Sequence, residues 1–176
     1  GVYINYSNQK SRFDEMLLTQ KVERERDTDA LTRVSTKDSA LARMSKKLID
    51  DKKIPAVMIM MDLDHFESIN NNYGHTYGDA VLRSVGQKLN SLYRYDDIIS
   101  RFDGYQFCLF LSGVSTRESA TICVEKLRKE FKEDFPLRGT EGSITCCFGV
   151  AFYPVNAGRF DDLLEKANDA LAKAKK

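Results

Sequence analysis

A strand, a helix, a hairpin, a second helix and a final strand follow one another along most of this sequence, and few architectures accept that succession. The apolar run at residues 56–61 predicts a strand buried on both faces, because it lacks the alternation of a half-exposed strand. Asp103-Gly104 stands between apolar runs at residues 98–102 and 105–111, and this arrangement favours a hairpin. The remaining patterns predict helices over residues 36–53, 80–92, 116–133 and from Phe160 onward, a turn-rich segment at residues 70–78, and a strand over residues 143–153. This order predicts an α+β fold, ferredoxin-like or palm-like, in which helices cover one antiparallel sheet.

The first 28 residues have a different character. Residues 8–27 contain neither Gly nor Pro, and their apolar positions form only a narrow helical stripe that includes Phe13, Met16 and Leu17. A stripe this narrow favours a connector helix or a short coiled-coil stalk over a core element, although a helix lying on the domain would show the same pattern. We therefore predict a connector at residues 1–28 and a folded domain at residues 29–176.

Composition excludes several classes of function. Twenty-seven Lys and Arg stand against 26 Asp and Glu, and a net charge of +1 does not supply the positive field that duplex nucleic acid requires. No apolar run reaches the ~20 residues that span a bilayer. The four cysteines show no C-x-x-C spacing, which predicts reduced thiols and a cytoplasmic location, either for a free protein or for part of a larger one.

Two acids follow the buried strand directly. Asp62 and Asp64 stand at its C-terminal end, where side chains from the middle of a sheet meet the hairpin tip. Mg²⁺ prefers carboxylates together with phosphate and water oxygens, so this pair is a candidate metal site. The other interpretation is that these acids cap the next helix.

Four further motifs accompany these acids in a fixed order and spacing. They are Asp29-Ala30-Leu31-Thr32-Arg33-Val34, Asn70 with Gly74-His75-Thr76-Tyr77-Gly78-Asp79, Arg101-Phe102-Asp103-Gly104-Tyr105-Gln106-Phe107, and Asp169-Ala170-Leu171-Ala172-Lys173-Ala174-Lys175. Together they resemble the GGDEF (diguanylate cyclase) family, over everything except the N-terminal helix. The resemblance implies a palm-like domain that binds GTP with Mg²⁺ or Mn²⁺, and that condenses two GTP into cyclic di-GMP when two copies face each other.

The resemblance also implies roles for individual residues. Asp62 and the Leu63 carbonyl match the family's metal ligands, while Asn70 and Asp79 match the residues that hydrogen-bond guanine. The matches to phosphate-binding positions are the backbone N–H groups of Asp64, His65 and Phe66 and the side chain of Lys175. Taken singly, Asn70 and Asp79 are more readily explained as turn and cap residues, and His75 as a structural histidine.

The signature loop departs from the family pattern. Tyr105 and Gln106 stand where the family has two acids, and Asp103 replaces the first Gly. Since phosphoryl transfer in such a site consists mainly of positioning and charge stabilisation, these substitutions predict a catalytically inactive domain. Glu67, where the family often has Lys, adds negative charge near the expected phosphates.

A second site precedes the loop. Arg94 and Asp97 form an R-x-x-D at the interval of the family's inhibitory site for cyclic di-GMP, although a surface ion pair also produces this pattern. Three hypotheses therefore stand: a degenerate regulatory module that binds GTP or cyclic di-GMP, an active cyclase with an atypical loop, and a ligand-free dimerisation domain. The first is favoured. The expected partners are a second copy of the chain in a homodimer and an upstream sensor or membrane module, and no interaction with nucleic acid is expected.

Overall fold

The computed structural model describes residues 6–50, 54–132 and 144–176, with side chains from Gln9 onward. Helices α1 (Tyr6–Asp27) and α2 (Lys37–Asp50) flank a two-residue strand, β1 (Ser35–Thr36). The remaining elements are β2 (Ala56–Leu63), α3 (Phe66–Tyr73), α4 (His75–Leu92), β3 (Ile98–Asp103), β4 (Gln106–Ser112), α5 (Arg117–Lys132), β5 (Cys146–Tyr153) and α6 (Phe160–Ala174).

The strands form one five-stranded sheet in the order β1-β3-β4-β2-β5. The α+β, palm-like prediction is confirmed, but the sheet is mixed, because β1 pairs with β3 in parallel while the other pairs are antiparallel. Strand β1 was not predicted, because a strand of two residues is too short to show an alternation of apolar and polar side chains.

Strand β2 lies in the interior of the sheet and all eight of its residues are buried. Val57, Ile59 and Met61 pack into the cluster beneath α4 and α5, whereas Met58 and Met60 pack into the cluster beneath α2 and α6. Because successive side chains of a strand point to opposite faces, one apolar run supplies both halves of the core. This arrangement places the C-terminal end of β2 in the middle of one edge of the molecule.

Three local predictions were wrong in detail. Residues 70–78 are not a turn-rich segment, because α3 ends at Tyr73 and α4 begins at His75, with only Gly74 between them at a φ of 85°. The hairpin tip consists of Gly104-Tyr105 and not Asp103-Gly104, since Asp103 still pairs with Gln106 across the ladder. The last strand starts at Cys146; Ser143, like residues 51–53 and 133, lies outside the described residues.

Helix α1 exposes its apolar side chains. Phe13, Leu17 and Leu18 have exposed fractions of 55%, 46% and 64%. Its C-terminal end is fastened to the sheet by the Thr28 bridge to Ser35, so the helix leaves the domain at the β1 edge. A connector at residues 1–28 stays a prediction. None of the described helices has both the length and the apolar character that crossing a membrane requires.

Candidate functional site

Asp62 is a buried carboxylate at the C-terminal end of β2, with only 2% of the residue exposed. Its neighbours in register are Gln106 on β4 and Cys147 on β5. The Gln106 Nε2 donates a hydrogen bond of 2.8 Å to Asp62 Oδ2. An ionised carboxylate only accepts hydrogen bonds, so the amide group must present its NH₂ to this oxygen.

Lys175 also contacts this carboxylate, from the end of α6. Its Nζ lies 2.6 Å from Asp62 Oδ2, and this hydrogen bond raises the pKa of the lysine above its usual value. The preceding turn of α6 lies against β5, where Cys147 Sγ donates to the Ala174 carbonyl over 3.6 Å. Burial raises the pKa of Cys147 to about 11, so this thiol is protonated at neutral pH. The same Asp62 oxygen thus accepts from an amide and an ammonium group.

The turn after β2 brings two of the family-divergent residues together. His65 adopts a left-handed conformation with a φ of 56° and allows α3 to begin at Phe66. The Tyr105 ring packs on Phe66 with centroids 5.6 Å apart, and its hydroxyl donates to Glu67 Oε1 over 3.5 Å. Tyr105 therefore lies against the segment that was predicted to cradle phosphates.

A cavity of about 460 Å³ opens between this turn and the end of α6. Its lining includes six of the eight residues predicted to bind metal or nucleotide, namely Asp62, Leu63, Asp64, His65, Phe66 and Lys175, together with Glu67, Tyr105, Cys147, Ala174 and Lys176. The Asp64 N–H, which was predicted to bind phosphate, instead donates to the Thr145 carbonyl at 2.9 Å. Asp103 is exposed and does not line this cavity.

Asn70 and Asp79 lie outside that lining, at the elbow between α3 and α4. Asn70 lies within α3, where its carbonyl accepts from the Gly74 N–H at 2.8 Å, and Asp79 is exposed in the first turns of α4. The Asn70 side chain occupies the space that a Cβ at Gly78 would need. A glycine at position 78 therefore allows the amide to lie against α4, beside Asp79.

Arg94 and Asp97 lie in the connection between α4 and β3. The Arg94 N–H donates to Asp97 Oδ2 at 3.1 Å, so the carboxylate of the half-buried Asp97 stabilises the turn. Both residues line a second cavity of about 290 Å³, to which Arg33, Arg43 and Tyr95 contribute.

Two arginines of this cavity were not predicted as site residues. Arg33 belongs to the Asp29 motif, where it has no predicted role, and it has a φ of 63° that few residues other than Gly adopt. Arg43 lies on the exposed face of α2, where its guanidinium donates to Ser35 Oγ at 3.1 Å. No local signal distinguishes it from a solvated helix residue.

Asp29 connects the hairpin tip to the domain's first residues. Its Oδ2 accepts from the Thr32 hydroxyl at 2.6 Å and from the Arg101 guanidinium at 3.3 Å, and Arg101 Nε in turn donates to the Gly104 carbonyl at 2.8 Å. Burial alone would raise the pKa of the Asp29 carboxyl, but these hydrogen bonds and the positive charge outweigh it and lower the pKa. Arg101 thereby orients the loop that carries Tyr105 and Gln106.

The chain is similar in sequence to known proteins. The family described as diguanylate cyclase, GGDEF domain, matches residues 26–176. Among curated proteins, the cyclic di-GMP phosphodiesterase NbdA of Pseudomonas aeruginosa is 34% identical over 118 residues, which are 67% of this chain and 15% of that protein. The diguanylate cyclase DgcP of the same organism is 30% identical over 152 residues, which are 85% of this chain and 22% of that protein. The chain thus spans less than a quarter of either relative.

Solved structures resemble the chain over most of its length. A sensory box/GGDEF family protein from Caulobacter crescentus superposes with a TM-score of 0.77 at 26% identity, covering 85% of this chain and 97% of that one. The coiled coil and GGDEF domain of DgcB from Caulobacter crescentus, in complex with c-di-GMP, superposes with a TM-score of 0.82 at 23% identity over 96% of this chain and 90% of that one. The second match shows that the fold is shared.

Proposed function

The chain belongs to the GGDEF family of diguanylate cyclase-like domains, which act in cyclic di-GMP signalling, and we propose that it is a catalytically inactive member that binds guanine nucleotides as a regulatory module. The observation that carries this proposal is the environment of Asp62. The signature acids are replaced by Tyr105 and Gln106, and Gln106 donates to the acid that remains. The alternative is an active cyclase with an atypical loop, and an assay for cyclic di-GMP formation distinguishes the two.

The loss of negative charge explains the proposed inactivity. Cyclases of this family generally use Mg²⁺ or Mn²⁺ to neutralise phosphate charge, and the protein's part is to hold that cation by carboxylates. One unit charge about 4 Å from another contributes on the order of 4 kcal/mol at an effective dielectric near 20. Replacing one acidic ligand with a neutral side chain, as at Tyr105, therefore reduces cation occupancy or rate by several orders of magnitude.

The guanine contacts survive this change. An amide and a carboxylate together match the acceptor and donor edges of guanine, and the Asn70 side chain lies against Gly78, the residue before Asp79. We propose that GTP docks there weakly, with its phosphates directed toward the turn of Asp64, His65 and Phe66. Asp79→Ala should weaken GTP binding by about 10- to 100-fold, since a hydrogen bond to a charged group contributes about 1.5–3 kcal/mol.

Cyclic di-GMP is assigned to the second cavity. Arg33, Arg43 and Arg94 all line it, and guanidinium groups bind phosphates through paired hydrogen bonds. Asp97, at the same cavity, can accept from the N–H groups of guanine. This concentration of three arginines supports the receptor role more strongly than the R-x-x-D spacing alone.

The signal would travel through α1. The exposed apolar side chains of this helix suit a homodimeric coiled coil that joins the domain to an upstream sensor or membrane module. The four cysteines are all free thiols, which fits a cytoplasmic position for this domain. No interaction with nucleic acid is proposed.

Calorimetry with GTP and with cyclic di-GMP, each with and without Mg²⁺, tests the proposed function. Arg94→Ala should abolish cyclic di-GMP binding and leave GTP binding unchanged, while Asp79→Ala should do the reverse. Arg117→Ala, an exposed arginine at the start of α5, is the matched control and should change neither. If the unmodified chain binds neither nucleotide, the regulatory proposal fails and the ligand-free dimerisation domain takes its place.

A further inference from the structure

The cavity beside Asp62 is lined by Lys175, whose ammonium group pairs with the Asp62 carboxylate. We propose that the Lys175 ammonium and the Gln106 amide replace the divalent cation that active relatives hold at this position, so that the pocket binds no Mg²⁺ or Mn²⁺ and any phosphate group enters it without one. This inference rests on the proposed function for its ligand, but the cation exclusion is a property of the chain alone.

The donor set does not fit a divalent cation. Mg²⁺ requires near-octahedral oxygen ligands and usually at least one or two free carboxylates. Asp62 Oδ2 already accepts from Gln106 Nε2 at 2.8 Å and from Lys175 Nζ at 2.6 Å. Within the part of the chain that the structure describes, no three His, Cys, Asp or Glu residues come together as a metal-binding group.

The second acid of this segment has a different partner. Asp64 lines the same cavity, and its backbone N–H donates to the Thr145 carbonyl at 2.9 Å. This hydrogen bond ties the residue to the segment that leads into β5.

Lys175 is positioned by the fold and not only by its charge. It follows the last residue of α6, where unpaired carbonyl groups favour a positive charge, and its N–H still donates to the Leu171 carbonyl at 3.2 Å. Asp62 is 3% exposed at its side chain, whereas Lys175 is 39% exposed. The partly exposed lysine therefore contacts a carboxylate that is itself buried.

The divergent loop residues complete the same arrangement. Gln106 removes the negative charge that would attract a cation, and Tyr105 covers Phe66 and donates to Glu67. Each replacement thus has a partner within the site.

Titration with Mn²⁺ alone, followed by the electron paramagnetic resonance signal of the free ion, tests the inference on the whole chain. The unmodified chain and Asp62→Asn should give the same curve. The double variant Gln106→Glu/Lys175→Met should gain one site per chain, at least about tenfold tighter than any binding by the unmodified chain, because it adds an anionic ligand and removes the competing cation. That site should disappear when Asp62→Asn is added. Gln106→Glu/Lys176→Met is the matched control, since Lys176 lines the cavity without contacting Asp62, and it should gain less.

Two outcomes would overturn the inference. One is a Mn²⁺ site in the unmodified chain that Asp62→Asn removes, and the other is a folded double variant that gains no site. Should the double variant not fold, ¹⁵N NMR of the lysine ammonium groups decides: the Lys175 signal should be protected from exchange and lose that protection in Asp62→Asn, and an unprotected signal would contradict the inference. Because no nucleotide is present, a failure here is distinct from a failure of guanine-nucleotide binding.

Discussion

Gly78→Ala separates the role of Asn70 from the stability of the fold. An alanine Cβ at this position would overlap the Asn70 Oδ1, and it would lie 3.0 Å from Asn70 Cγ and 3.2 Å from Phe66 Cζ. Ordinary van der Waals contacts are longer, so the amide must swing away by roughly 1 Å or more, which is enough to lose a hydrogen bond. The obstacle is the end of a flexible side chain, and Gly→Ala in a helix by itself stabilises by about 0.5–1 kcal/mol. The free energy of unfolding should therefore change by less than about 1 kcal/mol.

The same variant should lose affinity for GTP. One hydrogen bond from Asn70 to guanine contributes about 1–1.5 kcal/mol, which corresponds to a roughly five- to tenfold increase in Kd. Calorimetry measures the affinity and urea denaturation measures the stability. Ser84→Ala, on the exposed face of the same helix, should change neither quantity appreciably.

A double variant identifies the route of the effect. If Gly78→Ala acts by displacing the amide, Gly78→Ala/Asn70→Ala should bind GTP no more weakly than Asn70→Ala alone. An unchanged GTP affinity in Gly78→Ala, with the chain folded, would refute the placement of guanine at this elbow. A further loss in the double variant would show that the alanine disturbs the site by another route.

Three further predictions concern the frame around the sites. Asp29→Asn should lower the free energy of unfolding by about 1 kcal/mol at neutral pH, because the amide bonds Arg101 more weakly than the carboxylate does. The pKa of Asp29 is lowered in the folded chain, so the stability that its charge contributes is lost as the pH falls below about 4. Urea denaturation should therefore show a smaller difference between variant and parent at low pH. Gly149→Ala should cost about 1–3 kcal/mol or more, because its Cβ would meet the backbone of α6 at Leu171, and a thermal midpoint equal to that of the parent would show that α6 can move aside. Leu17→Glu should shift the chain from dimer toward monomer in analytical ultracentrifugation, since it places a charge in the exposed apolar stripe of α1; an unchanged mass would mean that this helix does not mediate association.

The parts of the fold with local signals were predictable from the sequence. The uninterrupted apolar run of β2 could only be a strand buried on both faces, and the Asp103-Gly104 pair between apolar runs indicated the β3–β4 hairpin within one residue. The polar composition of residues 70–78 was misleading, because Asn70 lies within α3 and Gly74 alone separates α3 from α4. Turn-forming residues also serve as helix termini, and composition does not separate the two.

The contacts within the candidate site were less predictable. Lys175 and Asp62 are separated by 113 positions, and their 2.6 Å contact depends on how α6 returns across the sheet. Motif spacing indicated that both residues belong near one pocket, but it suggested a phosphate partner for the lysine. Sequence patterns indicate which residues share a site, but they carry little information on which of those residues hydrogen-bond or form ion pairs with each other.

The assay for cyclic di-GMP formation tests the central claim most directly. The unmodified chain should be incubated with GTP and Mg²⁺ or Mn²⁺ at high protein concentration, which favours facing dimers, and the product followed by chromatography. With Tyr105 and Gln106 in the signature loop and Lys175 on Asp62, we expect no cyclic di-GMP above the level of the Asp62→Ala variant. Reproducible product from the unmodified chain that Asp62→Ala abolishes would contradict the account and identify the chain as an active diguanylate cyclase.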